Sequence, residues 1–85
     1  MEIKVDVSTY DVNTGIADQW VDGYQIDVKV ENGEVVILGN SAGLKSLALQ
    51  LLALSQENVP VGYHLHFSQA YGLEDGSNDL LLGKM

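Results

Sequence analysis

His64 and His66, in the stretch GYHLHF, are the only two histidines of the chain. One residue apart is the spacing that turns two side chains to the same face of an extended strand. The strand rise would separate them by about 7 Å, close enough to share a metal ion. A complete site would need one or two further ligands from neighbouring strands, and Asp6, Asp27 and Asp79 are the candidate carboxylates. An imidazole could also act as a general base. However, no nucleophile stands in a recognisable setting, and the one pair of adjacent carboxylates, Glu74-Asp75, falls in a turn. The competing reading is that Tyr63, Leu65 and Phe67 face a core, so the histidines line the polar side of their strand. The alternation favours this second reading, with no cofactor and no enzymatic chemistry expected. The metal site at His64 and His66 is kept as an alternative.

Two other stretches imitate ligand loops. GNSAGLKS, residues 39–46, has three residues between Gly39 and Gly43, and Leu44 separates Gly43 from Lys45. A phosphate-binding loop needs four residues there and the lysine directly after the second glycine. Gly43 in a first helical turn instead suggests close packing, since glycine weakens a helix. DVNTG, residues 11–15, resembles the start of a calcium loop. Its glycine comes one position too early, and no helices flank it. Trp20, the one tryptophan, is expected to be packed rather than exposed.

The elements that must position these residues follow from periodicity. EIKVDV (2–7) and YQIDVKVE (24–31) alternate apolar and polar residues as half-buried strands do. Asn32-Gly33 is a strong hairpin signal, because both central residues of a type I′ turn need positive φ, and the strand EVVILG (34–39) follows it. Asn40-Ser41 can cap a helix. Leu44, Leu47, Ala48, Leu51 and Leu52 share one face of that helix, widened by Leu49 and Leu54, so this face is the expected core side. On that reading Leu51→Ala would be a core truncation. Asn58 is expected to cap the helix end, and Pro60 stops it. GYHLHF and DLLLGK (79–84) read as strands, and residues 8–23 read mostly as loop. The expected fold is α+β in one domain, 1–85. A single long helix packs on one face of a mostly antiparallel or mixed sheet of four to five strands, in the order β-β-β-α-β-β.

Composition narrows the function. The chain has 85 residues, 46% of them hydrophobic, with no cysteine, which removes disulfides and thiolate chemistry. Met1-Glu2-Ile3-Lys4 leads straight into an alternating pattern rather than an apolar run. The expectation is therefore a cytoplasmic protein without a membrane partner. Twelve acidic residues against four lysines give a formal charge of −8. Nucleic acid is not an expected partner of such a chain, because binding it requires neutralising phosphates with Lys and Arg. A basic protein is, because opposite charge steers encounter. Self-association into a homo-oligomer through an open sheet edge is a further option.

GNSAGL leading into LKSLALQLLALSQ, then GYHLHF, then LEDGS before an apolar strand, resembles the Immunity protein 32 family. The matching positions include Gly39, Asn40, Gly43, Leu44, Leu47, Gly62, His64, His66, Ser77 and Leu80. Phe67-Ser68 stand where the family often places an acidic residue, which weakens a metal triad further. The resemblance implies an immunity protein of a bacterial polymorphic toxin system, one that binds and neutralises a cognate toxin and catalyses nothing. With the charge, it places the partner-binding residues at Asp6, Asp27, Glu31, His64 and His66, on a sheet face turned away from the helix.

Overall fold

In the computed structural model, which describes residues 1–85, regular structure begins with β1 (Ile26–Glu31) and β2 (Glu34–Gly39). Asn32 and Gly33 both take positive φ, 52° and 77°, which is the geometry a two-residue type I′ turn requires. The strands pair antiparallel, with Glu31 opposite Glu34 and Ile26 opposite Gly39. Helix α1 (Ser41–Leu54) follows, then β3 (His64–Phe67) and β4 (Leu80–Gly83). No helix is long and apolar enough to cross a membrane.

The α+β class with one helix is as expected, but the sheet is not. The strands form two separate antiparallel pairs, β1 with β2 and β3 with β4, instead of one sheet of four or five. Residues 2–7 form no strand, so the order is β-β-α-β-β. The reason lies at the outer edge of β1, where another strand would have added. That edge is occupied by the turn 74–78. The Glu74 and Asn78 amides donate to the carbonyls of Ile26 (2.9 Å) and Val28 (2.7 Å). The Ser77 hydroxyl and the Asn78 side chain accept from the amides of Val28 and Val30. With that edge filled, residues 2–7 cannot add beside β1, and they pair with no other strand.

The helix buries a different face from the one its leucines suggested. Gly43, Ser46, Gln50, Ala53 and Leu54 are buried, whereas Leu44, Leu51 and Leu52 are 51%, 47% and 46% exposed. The irregular segment 8–23 explains the rotation: apart from the Asp11–Gly15 pair, few of its backbone groups bond one another, and the rest need polar partners. Ser46 Oγ accepts from the Val21 amide (2.8 Å) and Gln50 Nε2 donates to the Gln19 carbonyl (2.6 Å). Just past the helix, Gln56 bonds both the Tyr10 amide and the Ser8 carbonyl. Leucines could do none of this. The helix also stops earlier than expected, at Leu54. Ser55 closes it with its amide on Leu51 and its hydroxyl on Leu52, and Asn58 takes no left-handed conformation.

The core gathers Ile26 and Val28 from β1, Ala53 and Leu54 from α1, and Leu65 and Phe67 from β3. Trp20 packs at its margin as expected, stacked on Tyr24 at 4.6 Å and edge-on to Phe67. Only 12 of the 85 residues are buried. The surface of 5832 Å² is correspondingly large, against roughly 4,900 Å² for a folded monomer of this mass.

Candidate partner-binding surface

Along β1, Ile26 and Val28 turn to the core, so Gln25, Asp27 and Lys29 face outward, with Leu38 of β2 directly opposite Asp27. The turn 74–78 adds Glu74 and Asp75. Together with Gly39 and Asn40 these residues line an open depression of about 430 Å³. It holds three carboxylates and one ammonium. Lys29 Nζ lies 3.5 Å from Asp27 Oδ1 and donates to the Gly76 carbonyl at 2.7 Å, so its charge is spent within the wall. Asp27 also accepts from the Ser77 hydroxyl at 3.0 Å. Glu74 and Asp75 are exposed and form no salt bridge.

The depression is held in shape by Asn40. Its Oδ1 accepts from the Gly43 amide (2.7 Å) as an N-cap and from the Gln25 amide (3.0 Å), while its Nδ2 donates to the Gly23 carbonyl (2.9 Å). One side chain thus ties the start of the helix to the entry of β1. Gly43 completes the junction, because a Cβ there would overlap the Gln25 carbonyl oxygen. The GNSAG stretch is therefore a packing joint, with no phosphate geometry about it. DVNTG is likewise closed on itself: Asp11 Oδ1 accepts from the amides of Asn13 and Thr14.

His64 and His66 are exposed on β3 while Leu65 and Phe67 are buried, as the alternation predicts. His66 Nε2 lies 3.1 Å from Asp79 Oδ2, and His64 Nδ1 lies 3.3 Å from the Gly62 carbonyl. No group of three His, Cys, Asp or Glu side chains stands close enough to hold an ion. The expected contact residues do not share one sheet face. Asp27 and Glu31 sit on β1, the histidines sit in the other sheet, and Asp6 lies outside any strand. Asp6 contributes its carbonyl to Gln19 Nε2 and leaves its side chain in water. Asp27 meets Glu74 and Asp75 instead, two residues the charge pattern marked only as part of a turn. Their turn position was visible in the sequence. Its docking on β1 was not.

The sequence model of the Immunity protein 32 family matches residues 34–85, more than half of the chain. The chain belongs to the Immunity protein 32 family. No curated protein and no solved structure matches it. In this Immunity protein 32 member the matched span carries β2, α1, β3, β4, both histidines and the turn 74–78. Residues before it supply β1, the strand whose edge that turn caps. The acidic depression is thus built across the boundary of the match, from Asp27 on one side and Glu74 and Asp75 on the other.

Proposed function

We propose that the chain is a non-enzymatic immunity protein of the bacterial cytoplasm that binds a cognate, basic toxin domain and blocks it by occupying its surface. Family membership supports the immunity role. The observation that carries the charge of the partner is the depression at Asp27, Glu74 and Asp75, in a chain of formal charge −8. A basic enzyme that must attract phosphates presents the complementary field. The proposed contact is centred on those three carboxylates, with Glu31, Asp6, His64 and His66 as contributors around it. The metal alternative at His64 and His66 is not carried forward: Asp79, one of the candidate ligands, stands beside His66, but no group of three such side chains comes together.

The test is co-expression with the toxin domain encoded beside the chain. The expected result is a stoichiometric complex that co-elutes and cells that survive the toxin. The double variant Glu74→Lys/Asp75→Lys, checked for native folding by its amide spectrum, is expected to protect less well. A chain that neither binds the adjacent product nor rescues cells from it would sink the proposal.

A further inference from the structure

The first hairpin has two edges, and the fold treats them differently. The two-residue turn makes Glu31 and Glu34 a hydrogen-bonded pair, so bonded pairs recur at Lys29 with Val36 and Asp27 with Leu38. The backbone groups of Ile26, Val28 and Val30 then point out of one edge, and those of Val35 and Ile37 out of the other. On the β1 side all three residues are met by the turn 74–78. On the β2 side no hydrogen bond from outside the hairpin reaches Val35 or Ile37. Side chains along that edge are apolar and open, with Val35 63% and Leu38 61% exposed. Protein edges are ordinarily blunted by charge, proline or a bulge. β2 keeps an unbroken register over six residues, with its single charge, Glu34, at the turn.

We infer that β2 is the docking edge for an extended segment of the cationic partner, which adds to the hairpin as a third strand. This rests on the basic-partner reading above and specifies how that partner is held. Charge selects the occupant. A strand laid along β2 sends alternate side chains to opposite faces. One set falls beside Leu38, on the face that carries Asp27, Glu74 and Asp75. The other set falls beside Val35 and Ile37. The segment that fits both alternates Lys or Arg with apolar residues, its backbone supplying affinity and its side chains specificity. A second copy of the chain brings the same −8 charge and would set acidic face beside acidic face. The surface in excess of a compact monomer is of the order that one side of a standard interface buries, roughly 800 Å².

The experiment uses the full ¹⁵N-labelled chain and a capped peptide of alternating lysine and valine, with an N-methylated peptide of the same sequence and charge. The edge inference expects slowed amide exchange at Val35 and Ile37 with the first peptide and unchanged exchange in β3. It also expects binding weaker by roughly tenfold for the second, which cannot donate to the edge. No binding, or equal binding of both peptides, overturns it, the latter leaving charge alone as the attraction. A chain that sediments as a dimer without peptide, with Val35 and Ile37 already protected, overturns it in favour of a second copy. Val35→Pro, tolerable on an edge strand, separates this inference from the functional proposal. Toxin bound equally well by that variant removes the edge and leaves the immunity reading standing. Toxin bound by neither form removes the immunity reading itself.

Discussion

Asn40 carries more of the architecture than any charged residue in the chain. It caps α1, holds the Gln25 amide and donates to Gly23. Asn40→Ala is expected to cost about 2 kcal/mol, a lost N-cap plus a second amide left without its acceptor, read from urea denaturation. Gly43→Ala tests the same joint from the other side. Alanine favours a helix by about 1 kcal/mol over glycine, but its Cβ would overlap the Gln25 carbonyl oxygen. Displacing backbone there is expected to cost about 1–3 kcal/mol, so the variant is less stable despite the better propensity. Asp18 gives a pH-dependent case. Partial loss of water pushes its carboxyl above the usual range. The folded state therefore binds that proton more tightly than the unfolded chain does. Its contribution to stability is present in acid and is lost as pH rises through the raised folded-state value. Asp18→Asn is expected to be slightly more stable than the parent at neutral pH, with the difference vanishing in acid. Thermal midpoints measured at both ends of that range check it.

At the scale of elements, α1 separates composition from burial. Leu51 is half exposed and Leu54 is buried, on one helix and with one chemistry. Leu54→Ala is expected to cost about 2–5 kcal/mol as a core truncation. Leu51→Ala is expected to cost less than about 1 kcal/mol, as surface changes do. Equal losses in chemical denaturation would mean that the helix sits rotated from the position described. The turn 74–78 behaves as an element in its own right. Ser77 accepts from the Val28 amide and donates to Asp27 across 49 and 50 residues of chain. These long-range bonds do for β1 what a third strand does elsewhere.

The whole molecule is defined by a small core and a strongly acidic surface. Capture of a basic partner is expected to be fast at low salt and to slow as salt screens the charges, with dissociation changing much less. Glu74→Lys/Asp75→Lys is expected to lower the association rate by about tenfold at low ionic strength and to leave the unfolding midpoint nearly unchanged. Asp27 is a poorer probe, because it holds Ser77 and Lys29 as well as facing solvent. Stopped-flow association across a salt series reads both effects. A rate indifferent to salt and to the double reversal would remove the charged surface as the site of capture.

What the sequence determined by itself is what depends on neighbours along the chain. Asn32-Gly33 specifies its turn because two adjacent residues must take positive φ. GYHLHF turns its histidines outward because successive strand side chains alternate. Asn40 begins a helix because its own oxygen reaches the first free amides, and the family pattern from Gly39 onward is written in those same local signals. Tertiary structure decided the rest. An apolar helix rich all round in leucine does not say which side it buries, and here the choice went to Ser46 and Gln50 because a distant irregular segment needed their polar atoms. Alternation in EIKVDV does not by itself make a strand: the β1 edge is taken by Ser77 and Asn78, some fifty positions further along the chain, and residues 2–7 pair with no other strand. For the same reason the acidic depression could not be read from charge count alone. It exists because the turn 74–78 is bonded to β1, and only the folded chain brings Glu74 and Asp75 to Asp27.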